Sequence, residues 1–342
     1  MRRWFAGGML LALIASACGG STPAATSAPS TVAAPATPAA PPTKVVVTYG
    51  SVAADVLPTY VALEAGLFLK NGLDVELQLI SSSNAAVAAL ISGKADFTQA
   101  GGSEAISVNV GGGDLVIVAL TSPTYSYILE ASSEIKTPAD LKGKKVGIST
   151  AGSSSDVAVR VALKKIGIDP DKDVSIVAIG GVPERTAAMQ SGAIQATVAN
   201  PPETLVLEKA GFKPILDLAG LKLPAAVQGT IVRRDLVTGK PDLVQKFVDS
   251  IVQSMAYMKK NRQATADVLK KYFKSSDDAA MLTTVDFYVS EVFPTLPAPR
   301  VELFADAIAT LAAKNDKVKT FDVSKMIDAS FVQRAADRGL DK

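Results

Sequence analysis

Short apolar, β-branched runs and helical segments take turns along this chain from residue 44 to about residue 210, and that alternation leaves few folds open. Residues 44–49 read as a strand, followed by a helix that Asp55 can cap and that carries Tyr60, Val61, Leu63 and Phe68. Residues 73–80 alternate as a second strand, and the polar run 81–84 offers N-caps to a helix ending at Ser92-Gly93. A short strand at 95–99, a tight turn at Gly101-Gly102-Ser103, a helix at 104–110 and a buried strand at 114–120 come next. A second unit begins near Tyr125. In it Thr137-Pro138-Ala139-Asp140 supplies a cap, a proline at the first helical position and an acid to open a short helix. Strands at 144–149, 174–179 and 195–199 then alternate with helices at 156–166, 184–191 and 202–210. From Pro241 the pattern turns helical, with segments at 241–260, 262–273, 277–291 and 300–314. Strand-helix order of this kind predicts an α/β fold with a largely parallel sheet.

The chain also repeats itself weakly. Ala88-Ala89-Leu90-Ile91-Ser92-Gly93 aligns with Ala187-Ala188-Met189-Gln190-Ser191-Gly192 at an offset of 99 residues, and Glu104 then aligns with Glu203. A helix ending in Ser-Gly, a short strand, a turn and another helix occur once in each half. Helix-glycine-strand units also resemble one another without kinship. A true repeat predicts two similar lobes facing each other across a cleft, the usual place for a ligand.

The first 43 residues read differently. Arg2 and Arg3 precede a short apolar run, and Ile14-Ala15-Ser16-Ala17-Cys18 ends it in the manner of a lipobox, with Ala15 where leucine is commoner. The run is too short to span a bilayer. Residues 1–17 are therefore expected to be a signal peptide and Cys18 the lipidated first residue of the mature protein. Residues 19–43 hold only Gly, Ser, Thr, Pro, Ala and one Val, a composition expected to stay disordered as a tether. The expected location is extracytoplasmic, at the cell membrane, with the lipid as the only membrane contact.

Composition removes whole classes of chemistry. The 342 residues contain no histidine, and Cys18 is their one cysteine. Most zinc and copper sites, Ser-His-Asp triads and thiol redox chemistry are thereby excluded, so neither a metal nor a cofactor nor a catalytic residue is expected. A net charge of +2 with 20% charged residues gives no basic stripe for nucleic acid. Three local patterns are decoys. Gly111-Gly112-Gly113-Asp114 lacks the Lys-Ser/Thr of a phosphate loop, and the 169–173 acidic run lacks the glycine and final glutamate of a calcium loop. Gly147-Ile148-Ser149-Thr150-Ala151 is one glycine short of a nucleophile elbow and has no histidine to activate it.

The motifs Thr59-Tyr60-Val61-Ala62-Leu63-Glu64-Ala65-Gly66-Leu67-Phe68 and Asn71-Gly72-Leu73-Asp74-Val75-Glu76 resemble the opening of the nitrate/sulfonate/taurine-type substrate-binding proteins of ABC importers, whose relatives include binders of the thiamine pyrimidine precursor. Ser92-Gly93-Lys94-Ala95-Asp96-Phe97, residues 140–147 and residues 189–194 are similar to later motifs of that family, and the likeness spans roughly residues 45–270. Gln195 departs from it, standing where an acid is usual, in a turn away from the cleft. The resemblance implies a two-lobed type II periplasmic-binding-protein fold with two crossing strands and the C-terminal helices mainly on the first lobe. Lobe 1 would then comprise 44–124 and 225–342, and lobe 2 residues 125–224. Fungal pyrimidine synthases of the superfamily use a histidine and a cysteine-rich motif that are absent here, so an enzyme is not expected.

In open α/β sheets ligands bind beyond the carboxyl ends of the strands. Those ends offer Tyr49, Ser51, Ser82, Ser83, Gln99, Gly102, Ser103, Tyr125, Ser153, Ser154, Ser155, Val182 and Asn200 as candidate ligand contacts. Ser103, Ser154 and Ser155 open helices, where unpaired N–H groups and hydroxyls favour an anion. Arg185 is expected on a solvated helix face. The inventory fits a small anion held by N–H groups, and equally a neutral heterocycle gripped by Tyr49, Tyr60, Tyr125 or Tyr127. Partners expected from the resemblance are a small-molecule ligand and the permease and ATPase of an importer, with the protein itself a monomer. A sensing module that passes ligand occupancy to a separate signalling partner fits the same residues.

Overall fold

The computed structural model describes residues 41–80 and 82–342; the segment expected to be a signal peptide, Cys18 and nearly all of the expected linker lie outside them, as does Ser81. Two five-stranded sheets organise the described chain. The first has the order β2-β1-β3-β10-β4, from strands β1 (Thr43–Tyr49), β2 (Leu73–Leu79), β3 (Phe97–Ala100), β4 (Leu115–Thr124) and β10 (Pro224–Arg233). The second has the order β7-β6-β8-β5-β9, from β5 (Ile128–Ala131), β6 (Lys145–Ile148), β7 (Ser175–Ala178), β8 (Ala196–Ala199) and β9 (Lys213–Asp217).

The sheets are mixed rather than largely parallel. β1 runs parallel to β2 and β3, but β10 is antiparallel to both β3 and β4; likewise β6 runs parallel to β7 and β8 while β5 is antiparallel to β8 and β9. The reason is connectivity. After β4 the chain leaves the first sheet, builds the second, and returns as β10, which inserts between β3 and β4 running backwards.

The helices follow the sequence pattern with small shifts. Strand β1 leads to α1 (Leu57–Glu64) and α2 (Leu67–Lys70), and β2 leads to α3 (Ser83–Ile91), capped by the Ser82 side chain accepting from the Ala85 amide at 3.3 Å. Such a cap contributes ~1 kcal/mol. Helix α4 (Gly102–Val110) starts two residues earlier than expected, because Gly101 is its N-cap and Gly102 and Ser103 open its first turn. Asp55 caps no helix: it sits inside the 3-10 turn Ala54–Val56 and is buried. In the second sheet α5 (Ser154–Lys165), α6 (Val182–Gln190) and α7 (Glu203–Lys209) connect the strands. The C-terminal part adds α8 (Arg234–Gly239), α9 (Pro241–Lys260), α10 (Arg262–Phe273), α11 (Asp278–Phe287), α12 (Ala305–Ala312) and α13 (Ser330–Asp337).

The repeat seen in the sequence is structural. β2, β1, β3, β10 and β4 occupy the places that β7, β6, β8, β5 and β9 take in the second sheet. The same small devices recur 99 residues apart. Val46 N–H donates to Asp96 Oδ2 at 2.9 Å and Lys145 N–H to Gln195 Oε1 at 3.1 Å; Thr98 Oγ1 donates to Thr48 O at 3.2 Å and Thr197 Oγ1 to Gly147 O at 2.9 Å. Gln195 thus does with an amide oxygen what Asp96 does with a carboxylate. Each sheet has its own core. α9 lays Phe247 against Phe97 at 4.0 Å between ring centroids, with Phe68 beyond at 5.0 Å, under the first sheet. Leu129, Leu141, Val146, Leu163 and Val198 centre the second. α12 packs on both α4 and α5, so the C-terminal segment touches both halves.

Candidate functional site

Strands β1, β3, β6 and β8 aim their carboxyl ends at one another, and a cavity of about 50 Å3 lies between the two sheets. The first half contributes Ser51, Asp55, Ser83, Gln99 and Glu104; the second contributes Tyr127, Ser149, Ser153, Ser154, Ser155, Val182 and Arg185; β10 adds Val227 and Gln228. The halves are closed on each other. Val182 N–H donates to Ser51 Oγ at 3.0 Å, and the Ser154 hydroxyl lies 3.1 Å from both Glu104 Oε2 and Val227 O. The Ser154 amide, at the first position of α5, donates to Glu104 Oε1 at 3.3 Å.

Two glycines make that approach sterically possible. A Cβ on Gly101 would sit 1.9 Å from Ser154 Oγ and 2.7 Å from Val227 O, and one on Gly181 would sit 2.6 Å from Ser51 Oγ. Both positions have ordinary negative φ, so here glycine is required for space and not for backbone angle.

Of the residues singled out from sequence, Ser51, Ser83, Gln99, Ser153, Ser154, Ser155 and Val182 line this cavity. The others are placed elsewhere. Ser82 caps α3, and Gly102 backs onto Phe304. Ser103 turns its hydroxyl to Glu104 Oε2 at 2.8 Å and, with Tyr125, borders a smaller neighbouring pocket, where Tyr125 OH donates to Asp306 Oδ2 at 3.0 Å. Asn200 donates from Nδ2 to Tyr288 OH at 2.5 Å. Tyr49 and Tyr60 meet edge to face at 5.7 Å, and Tyr60 stacks on Tyr272 at 3.8 Å, which makes both of them core.

The three serines do not present free donors to an anion. Ser155 Oγ accepts from the Ser149 amide at 2.8 Å and lies 3.0 Å from Ser153 Oγ, which locks the β6–α5 turn. Ser103 and Ser154 both address Glu104. The N-terminus of α5, where an anion was expected, is already met by the chain's own carboxylate.

Reading from sequence missed the charged members. Arg185 is buried, 2% exposed, and not on a solvated face. Its Nε donates to Thr197 Oγ1 at 3.1 Å, Nη1 to Gly180 O at 2.9 Å and Nη2 to Val198 O at 3.2 Å. Asp55 and Glu104 are buried as well. Burial pushes the Asp55 carboxyl up to about 7 against the pull of its own amide, Arg185 and the Val56 amide. Burial likewise raises Glu104, opposed by hydrogen bonds from Ser103 and Ser154, and lifts Glu203 on α7 to about 8. Desolvation also lowers Arg185. The one available signal was the repeat, which aligns Glu104 with Glu203 at the heads of equivalent helices. For Asp55 the sequence carries none, whereas Tyr127, named from sequence as a possible wall of the pocket, does line the cavity.

Comparison with known proteins gives a family and a fold. The family described as "NMT1/THI5 like" matches residues 53–265, more than half of the chain. A Brucella abortus protein provisionally named a binding protein is 26% identical over 233 residues, covering 63% of this chain and 67% of its own. Among solved structures, the alkanesulfonate-binding protein SsuA of Xanthomonas axonopodis pv. citri, bound to MOPS, superposes with a TM-score of 0.71 at 18% identity, over 85% of this chain and 100% of that one. The periplasmic nitrate-binding protein NrtA of Synechocystis PCC 6803 gives 0.70 at 16% identity, over 87% and 89%. The desulfurization enzyme DSZB gives 0.63 at 18%, over 86% and 99%. The shared fold is that of periplasmic binding proteins, and it hosts at least one enzyme.

Proposed function

The chain belongs to the NMT1/THI5-like family, and on that premise we propose that it is an extracytoplasmic solute-binding protein that hands a small molecule to an ABC importer. The observation that carries this reading is the closed, polar-lined cavity between two half-molecules joined by Ser51–Val182 and Glu104–Ser154 hydrogen bonds. A ligand drives closure only through contacts it makes when both halves reach it, and this cavity is lined from both sides.

The remaining parts of the proposal follow from that role. A lipid on Cys18 and the linker behind it keep the body at the membrane face, where a permease and its ATPase read the closed form. Among the described residues no helix is long and apolar enough to cross the membrane. The protein works as a monomer without cofactor and performs no chemistry on its cargo, a sulfonate-, nitrate- or related organic-anion-like molecule.

A thermal-shift panel of sulfonates, nitrate, bicarbonate, carboxylates, aromatic acids and pyrimidines tests the function. A cargo at 100 times its dissociation constant adds about 2.7 kcal/mol to stability, a rise of several degrees. A flat response of well-folded protein across the panel would count against a binding protein for these solutes. Cys18→Ser tests the anchor: it should release the protein from the membrane fraction.

A further inference from the structure

We infer that the ligand of this cleft carries a nitrogen donor, a protonated amine or amidine-like N–H group, that meets Asp55, together with an acceptor end that meets Arg185. The inference rests on the solute-binding reading and narrows its cargo to amphoteric molecules, as opposed to bare oxyanions.

Three observations converge on it. Donors at the two helix starts facing the cavity are already taken: the first α5 amide and the Ser154 hydroxyl by Glu104, the Val182 amide by Ser51. The acids outnumber the cation on the cavity wall, with Asp55 and Glu104 facing Arg185 alone. The two acids are also unlike. Glu104 accepts from Ser103 and Ser154 and so acts as a clasp between the halves, whereas among the described residues no side chain donates to the buried Asp55.

A buried carboxylate beside a polar cavity is stabilised by an N–H or cationic partner, and the penalty for leaving it unpartnered is large. Above about pH 7, where Asp55 is ionised, a bare oxyanion placed there would add negative charge beside it. Arg185 supplies the complementary contact. Its guanidinium has five N–H groups; three go to Thr197, Gly180 and Val198, all neutral acceptors, which leaves two for the cavity that it lines. The cleft therefore offers one negative and one positive anchor across its width, Asp55 from the first half and Arg185 from the second. A molecule with both ends would bridge the halves and hold them shut.

Matched pairs test this on the full-length protein by calorimetry and thermal shift: taurine against ethanesulfonate, β-alanine against propionate, 4-aminopyrimidine against pyrimidine, with nitrate and sulfate alongside. The nitrogen-bearing member of at least one pair should bind about tenfold or more tightly than its partner. Asp55→Asn should collapse that ratio and improve binding of the oxyanion partner. If Asp55→Asn does not fold, the wild-type ratio measured from pH 8 to pH 5 serves in its place, and it should shrink as Asp55 takes up a proton. Equal binding within every pair, binding of oxyanions alone, or a ratio unmoved by both Asp55→Asn and pH overturns the inference while the solute-binding function stands. No response to any probe, oxyanions included, overturns the inference and counts against that function too.

Discussion

Arg185 shows how a cation can be drawn inside a protein without a carboxylate touching it. Its three hydrogen bonds go to neutral oxygens, two of them backbone carbonyls at Gly180 and Val198 that frame the β7–α6 and β8–α7 turns. Arg185→Ala should strand those buried carbonyls and lower stability by about 2–4 kcal/mol, read as a drop in urea midpoint at unchanged slope. Loss of binding with full stability would show instead that the arginine serves only the cargo. The buried acids set a pH dependence of the opposite kind to surface carboxylates. Asp55 and Glu130 are raised to about 7 and Glu203 to about 8, burial being the leading cause in each, and the unfolded chain releases these protons near the ordinary 3.8–4.5. Between those limits the folded protein holds more protons than the unfolded one. Their contribution is therefore fully present below about pH 4 and is lost as pH rises through 7–8. Glu130 is the sharpest case, fully buried with both oxygens lacking a partner and with Glu208 adding repulsion. Glu130→Gln should melt higher than wild type at pH 9 and should flatten the decline between pH 5 and 9. An unaltered slope would remove Glu130 as its source.

At the scale of elements, much was legible and the losses have physical causes. Helix α9 announces itself through apolar spacing that places Val244, Phe247, Val248, Ile251 and Met255 on one buried face. The capping box at Thr137 and Asp140 is where sequence placed it. β10 went unread because Pro224, Gln228 and Gly229 interrupt its apolar pattern. Its ladder with β4 absorbs them through register shifts. β5 went unread because Glu130 stands in the middle of a four-residue strand, an acid where the pattern asks for an apolar side chain. In the site, the serines were found and their partners were not. Spacing reveals a serine at a helix start but cannot reveal Glu104 reaching it from 50 residues away. The paired devices at Asp96 and Gln195 predict equal consequences in the two halves. Asp96→Ala and Gln195→Ala should each cost about 1 kcal/mol by leaving a strand amide without its acceptor. Asp96→Asn should be close to neutral in the same denaturation assay.

For the body of residues 41–342, closure is the property on which the proposed function turns, and Gly101 is its narrowest point. Gly101→Val would place methyl groups where Ser154 Oγ and Val227 O now lie. With spin labels at the exposed positions Ser92 and Ser191, in a Cys18→Ser background, wild type should show a short, narrow distance distribution and Gly101→Val a longer one. Identical distributions would mean that the halves do not close through this contact. The path of β10 has a further consequence, in the order of assembly. β3 and β4 are consecutive in sequence, yet they are not neighbours in the sheet: the strand between them is made more than a hundred residues after β3. The second sheet, by contrast, is complete within 128–217. A chain delivered from its N-terminus can finish the second half while the first still waits with two unpaired strand edges, the state most open to misassociation. Long-range pairing of this kind is slow, so the half that is synthesised first should be the half that is finished last. Pulse-labelled hydrogen exchange during refolding would register it as protection at Val146 and Val198 ahead of Phe97 and Ile231.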